Sequence, residues 1–309
     1  MIGVGGNTAM NTKKLRYYVV RANERGLLKW LPDICCLHLI YWARLGKLLN
    51  LKKPQTFNEK LQWLKLYNRK PEYTVMVDKY EVKKYVADTI GEEYVIPTLG
   101  VWERFEDIDF DALPDRFVLK CTHDSGGLVI VPDKTKLDKI AAREIIQRSL
   151  KNNYFYFGRE WPYRNVHPRI IAEQYMNNSG DRSDTEDLTD FKFMCFHGTV
   201  HNIFTVTERY SNSGLKVTFF DKEWNRLPFE RHYPASKVDI VKPQNLEAMI
   251  MLAEKLSKEI PFLRVDFYEV AGKIYFGELT FFPGSGMEEF TPESWDLKLG
   301  ELIDLQRLD

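Results

Sequence analysis

This chain has no excess of either charge. Lys plus Arg and Asp plus Glu number 44 each in 309 residues, so there is no global electrostatic case for binding nucleic acid. Any anion site must come from local arrangement. Cysteine is scarce: Cys35, Cys36, Cys121 and Cys195 form no CxxC pair, and no His cluster stands at zinc spacing. They read as free thiols in a reducing compartment, and a cytoplasmic location is expected. Long hydrophobic runs are absent. The longest uncharged run near the start, Ile34 to Ala43, is too short to cross a bilayer and lacks a small-residue cleavage site, so no signal peptide is expected. Internal repeats and low-complexity tracts are absent too, as is the G-K-[ST] of a P-loop.

What is present is ordinary globular composition, 44% apolar and 28% charged, which excludes wholesale disorder. The length suffices for one large domain or two modest ones. One stretch organises the rest. Phe117 to Cys121 reads as a short apolar strand, Thr122 to Gly127 as a polar turn, and Leu128 to Val131 as a second strand. Paired glycines let several backbone N–H groups converge, and a concave row of amides binds anions. Lys120 would add a positive charge beside that cradle. A plain hairpin with a Gly-Gly turn explains the stretch alone equally well.

Lys13 to Asn50 reads as a basic helix pair; a membrane-surface role is the minority reading. The first ten residues look like a flexible lead. Thr56, with Glu59 three positions on, has capping-box spacing for a helix running through Leu61 and Tyr67. A second helix is predicted from Thr74 to Thr89, ending at Gly91, with Lys79 a candidate phosphate contact on it. A strand is expected over Tyr94 to Trp102, and an amphipathic helix over Lys136 to Asn152. Tyr154 to Arg164 interleaves aromatics with arginine and reads as a core wedge rather than a stacking surface. Further strands follow at Arg169 to Met176, Asp190 to Phe196, Val200 to Glu208 and Leu215 to Phe220. The polar run Asn177 to Thr189 reads as a mobile loop or linker. A helix is expected over Asn245 to Ile260.

Two more strands follow, Phe262 to Tyr268 and Lys273 to Phe281. Asp266 lies amid apolar residues on the first, Glu278 on the second. A buried carboxylate is expensive unless it is paired or binds a cation. Two of them on facing strands are a natural magnesium site. A regular two-residue turn, Ala271-Gly272, would oppose Asp266 to Gly277 and turn Glu278 away. A longer turn or a bulge is therefore expected. The competing reading is an Asp-Arg ion pair with Arg264 plus an edge glutamate. Phe282 to Gly286 is a second glycine loop, whose amides could meet a substrate carboxylate or phosphate.

Together these segments resemble the ATP-grasp superfamily, and more narrowly its TupA-like branch, associated with teichuronopeptide biosynthesis in bacterial surface-polysaccharide (capsule) gene clusters. The residues that carry the resemblance are Pro54 to Trp63, Val77 to Tyr80, Phe117 to Gly127, Asp190 to Phe193, Arg264 to Phe267 and Gly277 to Gly286; it covers the chain from about residue 40 onward. It implies an α+β fold, two α+β lobes enclosing ATP, with a helical N-terminal region. It suggests an extension over 1–40, a helical or α+β region over 41–115, a glycine-loop lobe over 116–175 and a lobe with the metal-binding hairpin over 176–309.

Lys79 and Lys120 match the phosphate-binding lysines, and Asp124, Ser125, Gly126 and Gly127 the flexible loop over the phosphates. Glu173, Gln174 and Tyr175 match the segment meeting adenine, while Asp190 with Lys192 falls where a ribose-binding acid often stands. Asp266 and Glu278 match the magnesium ligands. Arg264 matches a basic residue beside the transferred phosphate. Thr280 stands where many members carry Asn, as a third candidate ligand.

The implied activity uses ATP and Mg2+ to join a carboxylate to an amine through an acylphosphate. The implied substrates are a uronic acid of a surface polysaccharide or its precursor and an amino acid, with peripheral association with membrane-bound polysaccharide machinery. Two rivals stand beside it: a kinase or transferase acting on a sugar, and a nucleotide-binding scaffold without turnover.

Overall fold

The structure, a computed structural model, describes residues 5–177, 189–208 and 214–308. The predicted polar loop over Asn177 to Thr189 thus lies almost wholly outside the described residues.

Two helices open the chain, α1 (Gly5–Glu24) and α2 (Asp33–Leu45). Helix therefore begins at Gly5, inside the lead expected to be flexible. The capping box forms as read: Thr56 accepts from the Glu59 N–H, and the Glu59 carboxylate accepts from the Thr56 N–H, which starts α3 (Phe57–Tyr67). The single helix expected over Thr74 to Thr89 is two helices, α4 (Glu72–Val77) and α5 (Glu81–Ile90). The physical reason is Asp78. Its carboxylate accepts from the N–H groups of Tyr80 and Glu81, at 2.9 and 3.3 Å, and that local bond restarts the helix. Lys79 consequently sits in the break, not on a helix face.

A four-stranded antiparallel sheet follows. It contains β1 (Thr98–Trp102), β2 (Phe117–Cys121), β3 (Leu128–Val131) and β4 (Ile170–Gln174) in the order β1-β4-β2-β3. Helix α6 (Lys139–Leu150), capped by Asp138, closes one face through Ala142 and Ile146. Before β4 comes a short helix, α7 (Phe155–Gly158), and a 3-10 turn over Trp161–Asn165. Phe155 is buried, and Arg159 donates to Asp33 and to the Leu28 carbonyl. The aromatic run is thus a core wedge holding the N-terminal helix pair.

The second antiparallel sheet has five strands in the order β10-β9-β5-β6-β7. They are β5 (Asp190–Phe196), β6 (Thr199–Thr207), β7 (Lys216–Phe220), β9 (Phe262–Val270) and β10 (Lys273–Thr280), with β8 (Glu230–Arg231) pairing to β11 (Phe290–Thr291) in a small separate ribbon. Helix α8 (Leu246–Leu256) buries Met249, Leu252, Ala253 and Leu256. Helix α9 (Ser294–Glu301) packs on α3; Gly300 sits against the backbone of Gln55 to Phe57, where a β-carbon would come within 2.1 Å of the Gln55 carbonyl oxygen.

The largest core joins α3, α4, α5 and α8 to this second sheet; a smaller core fills the first. The helices between residues 57 and 90 therefore anchor to the distant C-terminal sheet. The β-carbons of α3 that face it, Phe57, Leu61 and Leu64, are spaced as one helical stripe.

Candidate active site

The hairpin β9–β10 turns through two residues, Ala271 and Gly272, and then slips by one: Phe276 faces Phe267, but Glu278 faces Asp266 and Thr280 faces Arg264. The bulge falls at Gly277. A side chain there would press the Asp266 backbone oxygen and the Tyr268 ring, each 3.1 Å from a β-carbon. The slip brings both carboxylates to one face, as the spacing required.

On the neighbouring strand β5, Lys192 pairs with Asp266 and Asp190 with Tyr268. Arg264 Nε donates to Asp266 Oδ1 at 2.7 Å, another of its nitrogens bonds Glu278, and Lys192 Nζ bonds Asp266. Burial raises the Asp266 carboxyl and outweighs both cations. Burial also acts on Glu278, but Arg264, Lys192 and Lys79 overcome it and hold its pKa at about 2. Two neighbouring acids thus differ in how readily they hold charge.

The opposite wall comes from β2, the Thr122–Gly127 loop and β4. Lys120 reaches across to Glu173 at 2.5 Å, and Lys83 from α5 reaches the same carboxylate at 2.6 Å. Burial pushes Glu173 up, yet the two ammonium groups bring it below the ordinary carboxylate value. Lys79 Nζ donates to the Asp124 carbonyl, and burial lowers its pKa against the pull of Glu278 and Asp124.

The loop is built differently from the expected row of amides. Asp124 turns its carboxylate inward, accepting from the Gly127 N–H at 3.1 Å and from the Ser149 hydroxyl. Gly127 packs so closely that a β-carbon would meet Ser149 Oγ at 2.4 Å and Cys121 Sγ at 2.6 Å. That leaves Ser125 and Gly126, both exposed, as the tip the loop can offer an anion. Cys121 lies against this wall, and burial raises its thiol to about 11, so it is no thiolate at neutral pH.

Between the walls lies a cavity of about 250 Å³. It brings together Lys79, Lys120, Asp124, Ser125, Gly127, Glu173, Asp190, Lys192, Asp266 and Glu278. Gly126, Gln174, Tyr175, Arg264 and Thr280 are not on its lining. Arg264 stands behind the acids, and Thr280 donates to Glu278 at 3.3 Å. Tyr175 instead stacks under Arg116, whose guanidinium lies 4.6 Å from the ring centre.

The second glycine loop does not face the cavity. Its Ser285 and Gly286 carbonyls accept from the buried side chains of Gln62 and Lys65, and the Ser285 amide bonds back to Phe282, so the expected anion contact there is replaced by a core contact.

Residue reading missed Lys83, Ile96 and Tyr268, which also line the cavity. Two signals could have found two of them: Lys83 stands four positions after Lys79, one turn on the helix expected from Thr74 to Thr89, and Tyr268 shares the Asp266 face of its strand.

The donor set fits a hard divalent cation. Two carboxylates share one face beside a cavity, and magnesium takes one or two carboxylates and completes its shell with phosphate oxygens and water. Among the described residues no cluster of three or more His, Cys, Asp or Glu that could hold a metal stands together, so the protein offers these two carboxylates and no third such ligand beside them.

A mixed α+β fold with two antiparallel sheets facing across such a cavity belongs to the ATP-grasp class. Within that class, the sequence matches the TupA-like ATP-grasp family model over residues 59–304, and the chain belongs to that family. Among solved structures it is similar to D-alanine–D-alanine ligase from Bacillus anthracis, at 17% identity over 76% of this chain and 67% of that one, with a TM-score of 0.42. D-Alanine–D-alanine ligase from Helicobacter pylori gives 13% identity over 81% and 66%, with a TM-score of 0.43. An ADP complex of N5-carboxyaminoimidazole ribonucleotide synthetase gives 14% identity over 72% and 50%, with a TM-score of 0.40. This chain spans half to about two thirds of the length of those chains. Comparison with curated proteins finds no match.

Proposed function

We propose that the protein is an ATP- and magnesium-dependent carboxylate–amine ligase, and that the triphosphate lies between the two walls. The observation that carries this reading is the meeting of Lys79, Lys120 and Ser125 on one side with Asp266 and Glu278 on the other. At present each charge is matched by a protein partner: Lys120 by Glu173, Asp266 by Arg264 and Lys192. A bound triphosphate would draw the lysines toward its oxygens, and Asp266 and Glu278, with Thr280 beside them, would hold Mg2+. The cation would neutralise phosphate charge and orient the transferred group.

In the reaction, a substrate carboxylate oxygen attacks the terminal phosphorus and the bond to the leaving ADP breaks. An amine then attacks the acylphosphate carbon, phosphate departs with the bonding pair, and the amine loses a proton. Arg264, behind the acids, would steady charge on the transferred phosphoryl. The loop tip would exclude the water that hydrolyses an acylphosphate. Glu173, Gln174 and Tyr175 are assigned to the adenine side, Asp190 and Lys192 to the ribose side.

For substrates we infer a uronic-acid carboxylate of a surface glycan or its precursor, and an amino acid, in the cytoplasm at the membrane's inner face. This choice rests on the family branch, because a fold does not fix a substrate. Incubation with ATP, Mg2+, uronic-acid acceptors and a panel of amino acids tests it. ADP release that depends on the amino acid, with an amide product by mass, is expected. A phosphosugar product would instead identify a kinase, and no ADP release would identify a scaffold.

A further inference from the structure

The charge balance of the whole chain hides a strong imbalance along it. The first 53 residues hold ten of the 44 Lys and Arg but only two of the 44 Asp and Glu, so the remainder is correspondingly acidic. Helix α1 turns its Val19, Val20 and Asn23 side toward the body of the protein, and Asn23 donates to the Phe157 carbonyl at 2.7 Å. Lys14, Tyr18, Arg21 and Arg25 recur at i, i+4, i+7 and i+11, which places them on the opposite stripe, and all four are exposed. The turn into α2 then leaves Leu27 62% and Trp30 78% exposed. Exposed Arg25 and Lys29 neighbour them along the chain, so this turn presents cations and large apolar side chains together.

We propose that this face binds the surface of an anionic lipid bilayer, lying on it rather than crossing it. No helix among the described residues is long and apolar enough to span a membrane. The two kinds of side chain select this occupant. Phosphodiester headgroups take the Lys and Arg, and the headgroup–acyl boundary takes indole, phenol and leucine. A purely polyanionic ligand would leave Leu27 and Trp30 in water. The arrangement would keep the remainder of the molecule at the membrane, and it stands whether or not the ligase reading holds, since nucleotide plays no part in it.

Sedimentation of the full chain with vesicles tests it, using equal parts phosphatidylglycerol and phosphatidylcholine against phosphatidylcholine alone. Binding is expected only to the anionic vesicles and should fall with added salt. Lys14→Glu combined with Arg25→Glu should weaken it at least twentyfold, each lost cation alone being worth about fivefold near such a surface. Trp30→Ala should weaken it severalfold at every salt concentration. Neither change touches the packed stripe, and thermal unfolding identical to the parent's would verify that. Equal binding to both vesicles, binding to neither, or full binding by the charge-reversed variant would overturn the proposal; a protein or nucleic-acid occupant would give the second result.

Discussion

Asp266 and Glu278 face each other across one ladder rung, yet burial raises one while three cations hold the other at about 2. If they hold the metal, Glu278→Ala and Asp266→Asn should each lower ATP-dependent ADP release by about 10²–10³-fold, the usual cost of removing one charge-stabilising group. The check is steady-state ADP production, with circular dichroism to verify the fold. Glu173 supports a different prediction. Its folded pKa lies below the unfolded value because Lys120 and Lys83 outweigh burial. The stability from that pair is therefore fully present above the unfolded carboxylate pKa, near 4.3, and is lost as pH falls through the lower folded value. Urea midpoints measured from about pH 6 down to about pH 3 should drop less for Glu173→Gln than for the parent. Lys120, Lys192, Asp266 and Glu278 were legible as residue types because they interrupt apolar strands. Lys65 was not. It is fully buried, and four bonds tie it to Gln62, Gly158 and Ser285, the last two lying more than 90 residues away.

Local sequence decides some elements and long-range packing the others. The capping box at Thr56 was readable, and so was the need for a longer turn or a bulge in the β9–β10 hairpin, though not its place at Gly277, since each depends on residues within one helical turn or one hairpin. The break between α4 and α5 was not, because the apolar spacing continues through it and only the Asp78 side chain interrupts the helix. Thr56→Ala should destabilise the protein by about 1 kcal/mol, read from denaturant midpoints. Gly277→Val should act elsewhere. Its side chain would push against Asp266 and Tyr268, so ADP release should fall by about tenfold or more, with a smaller loss of stability than a core cavity causes. Equal loss of both would mean the bulge serves the fold alone.

At the scale of the molecule, the largest core ties residues 57–86 to the C-terminal sheet, and the Lys79 N–H donates to the Thr122 carbonyl at 3.0 Å, which links that assembly to the glycine-loop wall. The fold class was legible through the family resemblance, which the motifs ordered from Pro54 to Gly286 carry as a set. The second glycine loop was misjudged because its partners, Gln62 and Lys65, lie more than 200 residues away and belong to what reads as an ordinary helix face. A structure of the protein with magnesium and a non-hydrolysable ATP analogue tests the central claim most directly. The account predicts the triphosphate between Lys79, Lys120 and the Ser125–Gly126 tip on one side and Asp266 and Glu278 on the other, with the cation on the two carboxylates. A triphosphate held anywhere else, or a cation that leaves both carboxylates on Arg264 and Lys192, would contradict it.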